Sequence, residues 1–133
     1  MGLSNKKMRQ PLVAIVVLNW NGLHDTLKCF ESLETITYPD YELMLVDNGS
    51  TDGSAACLRA RYPDIAIIEN KENLGFAEGN NVGKHALAKR THYVLLLNND
   101  TIVAPAFLDA LVTLAESDPR HVPLLYRYDM FLI

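Results

Sequence analysis

After a polar stretch over residues 1–10, the chain exchanges continuous apolar runs with amphipathic segments in strict order. The apolar runs cover Val13–Asn19, Glu42–Asp47, Ile65–Glu69 and Tyr93–Asn98. They do not alternate apolar with polar, as a half-exposed strand would, so they predict parallel strands covered on both faces. Between them, apolar positions recur three and four residues apart. Leu23, Leu27, Phe30 and Leu33 predict a first helix after the Asn21-Gly22 turn; Ala55, Leu58 and Tyr62 predict a second, with Ser50 or Thr51 as its cap. Ala77, Val82 and Ala86 give a weaker third pattern. Leu108, Leu111, Val112 and Ala115 give a clean fourth, with Pro105 suited to its first turn.

Strands that alternate with helices in this way imply an α/β fold: a doubly wound, mostly parallel sheet with right-handed crossovers. One such domain is expected over 11–133, behind the tail of 1–10. The closing stretch HVPLLYRYDMFLI ends on four apolar residues with no polar cap. It reads as a fold cut off before its remaining partners, or as a last strand in need of a neighbour, which leaves room for a homodimer through the unfinished edge.

Composition narrows the function classes. With 133 residues, 49% hydrophobic and 21% charged, the chain has the makeup of one soluble globular domain. Its net charge is −4 and its longest basic cluster is Lys6-Lys7, which argues against a nucleic-acid or anionic-membrane surface. The apolar runs are too short to span a bilayer, and the N-terminus lacks the apolar core of a secretory signal. MGLSNK has Lys6 where a myristoylation site requires Ser or Thr. A cytoplasmic location is therefore expected. Cys29 and Cys57 then read as reduced thiols on helices, and the formal sequons at Asn48 and Asn99 as fortuitous.

The candidate chemistry lies where the strands end. The four strands leave through Asn19-Trp20-Asn21, Asp47-Asn48-Gly49-Ser50, Glu69-Asn70 and Asn98-Asn99-Asp100. In a parallel sheet all four exits share one edge, the edge on which open α/β sheets bind ligands. The first loop, NWNGLHD, has neither the Gly-rich dinucleotide turn nor a P-loop lysine. Asp47, Asp52 and Asp100 suit sugar or ribose hydroxyls, base N–H groups or a hard cation. A divalent ion on Asp100 would bridge diphosphate oxygens in place of a P-loop lysine.

Taken in order, VAIVVLNWNG, LMLVDNGSTDGS, NLGFAEGNNVG and YVLLLNNDTIV resemble the N-terminal half of family 2 glycosyltransferases, in wording closest to rhamnosyltransferase-like members. The resemblance covers about Val13 to Leu114. It implies the Rossmann-like nucleotide-binding half of a GT-A fold and an enzyme of polysaccharide biosynthesis. Its partners would be a nucleotide-diphospho-sugar donor, with Mn²⁺ or Mg²⁺ as cofactor, and a glycan or lipid-linked acceptor. The lipid-linked case would place the full enzyme at the inner face of a membrane. Asn19, Asn21, Asp47, Asn48 and Asp52 would line the nucleotide pocket, with Asp52 equally suited to stabilising the helix that follows. Gly75 and Asn80 would shape one wall; an ordinary turn glycine and a polar residue on an exposed helix face are the alternatives. Asn98, Asn99 and Asp100 stand at the family's Asp-x-Asp motif, Asp100 as metal ligand and Asn98 near the ribose or diphosphate.

The sequence departs from the family pattern at three points. Asn98 replaces the motif's first carboxylate, which implies weaker metal binding. No Arg stands in Glu78-Gly79-Asn80, where many relatives carry one against the nucleotide. The family's catalytic Asp or Glu lies beyond the motif, and nothing in HVPLLYRYDMFLI matches it, Asp129 included. No catalytic residue is therefore assigned, and inversion at the anomeric carbon is implied by the family alone. His24, His85, His92 and His121 are expected in solvated or capping roles, and Trp20 as a buried aromatic at a strand end rather than a base-stacking one. Two other classes compete. A nucleotidyltransferase would want a basic, Gly-rich first loop, which is absent. A non-catalytic module that binds nucleotide or self-associates is the other alternative.

Overall fold

The computed structural model describes residues 10–87 and 91–118, and the backbone of 125–127. The elements run β1 (Val13–Asn19), α1 (Leu23–Leu33), β2 (Tyr41–Asp47), α2 (Ser54–Arg61), β3 (Ala66–Glu69), α3 (Phe76–Ala86), β4 (Tyr93–Asn98), α4 (Phe107–Ser117) and β5 (Leu125–Arg127). The expected alternation of strand and helix is present, with every predicted strand and helix within a residue or two of its place.

The sheet order is β3-β2-β1-β4-β5. β1 to β4 are parallel to their neighbours, and β5 joins β4 antiparallel. The chain thus winds outward from β1 to β3, then crosses back to place β4 on the other side of β1. Register levels the ends of the central strands: Asn19 stands beside Asp47, and Leu18 beside Asn98. The three exits that carry the candidate residues therefore emerge at one height.

β1 is apolar throughout because both of its faces are covered. Val13, Ile15 and Val17 point to the side where Phe30, Leu33, Leu58, Leu108 and Val112 of α1, α2 and α4 pack. Ala14 and Val16 point to the opposite side, with Met44, Val46, Val94, Leu87 and Val82. Tyr62 meets Phe30 edge-on, with ring centroids 5.2 Å apart, and ties the end of α2 to α1.

The weak apolar pattern of α3 has a steric cause. This helix approaches the sheet on Gly79 and Gly83, which lie four residues apart on one face. A Cβ at Gly83 would come within 2.6 Å of Val16 Cγ1 and 2.9 Å of Val46 Cγ2. Burial here depends on the absence of side chains, which a pattern of apolar residues does not record.

Two local expectations are corrected. Neither Ser50 nor Thr51 caps α2. The helix begins at Ser54 behind Gly53, and the Asp52 carboxylate accepts from the Ser54 N–H at 3.0 Å. Pro105 lies ahead of α4 rather than in its first turn, and its carbonyl accepts from the Thr37 N–H at 2.9 Å and Thr37 Oγ1 at 3.1 Å. That clamp joins the loop after α1 to the start of α4, which explains why the helix starts later. Both cysteines are free, Cys29 buried and Cys57 exposed. Among the described residues no helix is long and apolar enough to cross a membrane. His121 and Asp129 lie outside the described residues, as does most of the closing apolar stretch.

Gly83→Val is expected to destabilise the fold by about 2 kcal/mol or more, through overpacking against Val16 and Val46. His85→Ala, on the exposed side of the same helix, is expected to change stability by no more than about 0.5 kcal/mol. Urea denaturation of the two variants measures both.

Candidate functional site

The order of the strands reverses between β1 and β4, the switch point at whose carboxyl edge open α/β sheets form a ligand crevice. The floor of that crevice is a buried polar cluster. Asn19, the last residue of β1, is fully buried; its Nδ2 donates to Asp47 Oδ1 at 2.9 Å and to Ser50 Oγ at 3.2 Å. Asn19 Oδ1 accepts from Thr26 Oγ1 at 2.7 Å. Asp47, the last residue of β2, is only 3% exposed, and also accepts from Ser50 Oγ at 2.7 Å and from the Ser50 N–H at 3.0 Å. A buried carboxylate without a cationic partner requires such donors, because an unpaired charge there would be very costly.

The loops above this floor are stitched to one another. The Asn21 N–H donates to Ser50 Oγ at 2.8 Å, and Asn21 Oδ1 accepts from the Thr51 N–H at 2.7 Å. Asn21 holds a left-handed backbone with φ 48°, which asparagine tolerates better than most residues. Asp52 accepts from the N–H and hydroxyl of Ser54 and, at 3.4 Å, from the Leu23 N–H, so it joins the starts of α1 and α2. The Ser54 hydroxyl, with these backbone donors, holds the Asp52 carboxyl below the ordinary aspartate value. Of its two expected roles, Asp52 plays the helix-stabilising one in the hydrogen bonds seen here.

Asn48 braces the far side. Its Nδ2 donates to Asn73 Oδ1 at 3.0 Å and the Gly75 carbonyl at 3.1 Å. Its Oδ1 accepts from Asn70 Nδ2 at 3.2 Å and the Leu74 N–H at 3.0 Å. Gly75 takes φ 85° and ψ 173° at the start of α3, a conformation closed to side-chain-bearing residues at little cost. Asn80 is buried, not on an exposed face as one alternative had it, and its Nδ2 turns back to the Phe76 carbonyl at 3.0 Å. That bond leaves it outside the network formed by the other candidates.

The β4 exit differs in kind. Asn98 and Asp100 are exposed, and among the described residues neither side chain has a hydrogen-bond or ion-pair partner. Asn99 turns inward and donates from Nδ2 to Thr26 Oγ1 at 3.1 Å. A line of hydrogen bonds thus runs from Asn99 through Thr26 and Asn19 to Asp47, each donor facing the carboxylate. Beneath the turn, burial and then the charge of Asp100 push the Cys29 thiol up to about 11, so it stays protonated at neutral pH.

Among the described residues no three His, Cys, Asp or Glu side chains gather where they would hold a metal ion. One free carboxylate and a nearby amide nevertheless fit a Mg²⁺ or Mn²⁺ ion that keeps waters and takes its other ligands from a diphosphate. Trp20, expected to be buried, is 54% exposed at the crevice rim. His24 and His85 are exposed on helices, and His92 lies just before β4, where its Nδ1 accepts from the Leu12 N–H at 3.0 Å. Thr26 is the participant that sequence reading passed over, and Ser50, expected as a helix cap and an exit residue, instead donates twice to Asp47. The signal for Thr26 was a hydroxyl on the inward side of α1, between Leu23 and Phe30.

Asp47 and Asp100 should respond oppositely to loss of charge. Asp47→Asn turns an amide donor on donors already in place and should cost about 1–3 kcal/mol of stability. Asp100→Asn should stay within about 0.5 kcal/mol; urea denaturation compares them. Removing the hydroxyl in Ser54→Ala should raise the Asp52 titration midpoint toward its ordinary value, as followed by carboxyl NMR. Because the folded-state value is depressed, the stabilisation from Asp52 is present above the ordinary aspartate range and is lost as pH falls through the depressed value.

The chain is similar in sequence and in fold to proteins of known family. The glycosyl transferase family 2 model matches residues 14–131. An uncharacterized glycosyltransferase of Haemophilus influenzae is 28% identical over 121 residues, which are 89% of this chain and 36% of that protein. The N-acetylglucosaminyl-diphospho-decaprenol L-rhamnosyltransferase of Mycobacterium tuberculosis is 30% identical over 98 residues, 67% of this chain and 32% of that protein. Among solved structures, a mannosyltransferase from Pyrobaculum calidifontis in complex with GDP-Man and Mn²⁺ superposes with a TM-score of 0.74 at 24% identity, over 84% of this chain and 34% of that one. TarS of S. aureus in complex with UDP-GlcNAc gives 0.70 at 18%, over 80% of this chain and 31% of that one. The likeness in structure shows the fold, part of the GT-A fold, and the chain spans about a third of the length of these relatives. By its match over most of its length, the chain belongs to the family 2 glycosyltransferases.

Proposed function

We propose that the chain forms the donor-binding portion of an inverting, cation-assisted glycosyltransferase. It would take a sugar such as rhamnose from a nucleotide-diphospho-sugar and pass it to a glycan or lipid-linked acceptor. One observation carries this reading: two carboxylates flank the end of β1 in opposite states. Asp47 is buried and held by Asn19 and Ser50, whereas Asp100 is exposed and free of partners among the described residues. The first is a fixed recognition group and the second an open ligand position.

Asp47 Oδ1 takes two of the donors and Oδ2 takes one, so Oδ2 keeps acceptor capacity for a ribose hydroxyl or base N–H. Asn19, with both ends of its amide engaged, acts from beneath by holding Asp47 in place. Asn21, Asn48, Gly75 and Asn80 form the walls, and Asn98 offers its amide to the ribose or diphosphate. Asp100 would hold Mn²⁺ or Mg²⁺, which when bound neutralises charge on the departing nucleoside diphosphate. The acceptor oxygen attacks the anomeric carbon opposite the diphosphate, the bond to that leaving group breaks, and the configuration inverts. The acceptor's proton goes to a carboxylate base, which we assign to the part of the relatives' length that this chain does not span. A lipid-linked acceptor would set the whole enzyme against the cytoplasmic face of a membrane. The sugar-nucleotide complexes of the structural neighbours and the rhamnosyltransferase relative support these assignments.

Calorimetric titration with UDP and GDP tests the reading. Nucleoside diphosphate should bind more tightly with Mn²⁺, and Asp100→Ala should remove that gain while leaving the metal-free affinity unchanged. Asn98→Asp, which adds a second carboxylate, should enlarge the gain. A wild-type chain indifferent to Mn²⁺ would refute the cation assignment.

A further inference from the structure

The inner side of α1 carries small polar side chains at Thr26, Cys29 and Ser32. Each lies three residues from the next, so they stack along one stripe of the helix. Phe30 and Leu33 show what the core face of a helix on a sheet ordinarily holds. Thr26 and Cys29 are nonetheless fully buried.

Each member of the stripe meets a different point of the segment that follows β4. Thr26 Oγ1 accepts from Asn99 Nδ2 at 3.1 Å. Cys29 Sγ donates to the Asn98 carbonyl at 3.9 Å, a weak contact but a directed one. Ser32 Oγ accepts from the Val103 N–H at 3.1 Å and gives its own proton to the Cys29 carbonyl at 2.7 Å. The segment is closed on itself by the Thr101 N–H, which donates to the Asn98 carbonyl at 3.2 Å. Asp100 lies inside this held stretch. Asp100 is exposed and has no hydrogen bond of its own among the described residues, so its position comes from its neighbours in the chain.

We propose that Thr26, Cys29 and Ser32 are positioning residues for the cation corner, setting Asp100 relative to the nucleotide floor from the back. The proposal rests on Asp100 being the cation ligand. Mg²⁺ and Mn²⁺ sites are exacting in ligand placement, and partners of ligating groups commonly carry 10–100-fold of metal affinity. Thr26 has a second part in this, because the hydroxyl that holds Asn99 also donates to Asn19, which holds Asp47. Through it, the metal corner and the nucleotide floor share one reference point.

The test is calorimetric titration of the full chain with UDP and with GDP, each with and without MnCl₂. Wild type is compared with Thr26→Val, Thr26→Ser and Ser32→Ala. Ser32→Ala should weaken binding in the presence of Mn²⁺ by about 10-fold, with metal-free binding held within about twofold. Thr26→Val, which also releases Asn19, should weaken both, and binding with Mn²⁺ by about 10-fold more than binding without it. Thr26→Ser, which keeps the hydroxyl, should recover the Mn²⁺ effect. If Thr26→Val does not fold, Ser32→Ala decides, since it releases only the Val103 N–H at the far end of the segment. Variants that keep the whole Mn²⁺ effect would overturn the stripe while leaving the Asp100 assignment intact. Equal weakening with and without Mn²⁺ would mean general support of the fold, and would also overturn it. A wild-type chain that Mn²⁺ does not affect would remove the Asp100 assignment and the stripe together.

Discussion

The hydrogen bond from Asn19 to Asp47 joins the last residues of two central strands, and most of the ligand edge is arranged around it. A carboxylate 3% exposed, with no cation beside it among the described residues, is sustained by donors fixed around it before any ligand arrives. Ser50 supplies two of them and Asn19 the third. Satisfying Asp47 therefore dictates where the second loop begins and how Asn19 turns. Through Asn19 Oδ1 it also gives the Thr26 hydroxyl its direction. The polar cluster is as much a part of the fold as the apolar layers on either side of β1.

The sheet makes this arrangement precise because it is covered on both faces. Parallel register sets Asn19 beside Asp47 and brings Asn98 level with Leu18, so a ligand at the switch point meets the loops after β1, β2 and β4 at once. α3 presses close on one side through its glycines, and α1 on the other brings hydroxyls as well as apolar groups. The two ends of the crevice then differ in chemistry. Around Asp47 the protein satisfies its own polar groups, while Asp100 is exposed and has no partner among the described residues.

Much of the architecture was legible in the residues. Continuous β-branched runs such as VAIVVLN read as strands with two covered faces, and the periodic apolar residues of α1 and α4 mark a single buried stripe each. The polar exits were visible for the same reason, since an apolar run that stops on Asn or Asp must surface there. Less legible were positions whose role depends on a neighbour distant in the chain. Trp20 looked like a buried aromatic, yet it follows a strand whose end is already filled by Asn19, and it projects into solvent. Pro105 looked like a first-turn proline, yet its carbonyl is taken by Thr37 from the other end of the fold. Asn80 read equally as a pocket wall or as a surface amide, and the helix carries it inward.

Local chemistry by itself determined the order of elements and the polar residues that gather at one edge of the sheet. These follow from periodicity and from the strand ends, both of which are properties of short stretches. Only the tertiary structure decided that Asp47 is buried and hydrogen-bonded while Asp100 is exposed and without a partner among the described residues, and that Thr26, Cys29 and Ser32 face the segment after β4. Those outcomes depend on hydrogen bonds between residues 28 to 73 positions apart. A donor's partner at that distance is chosen by packing, because the sheet must form before the loops above it can meet.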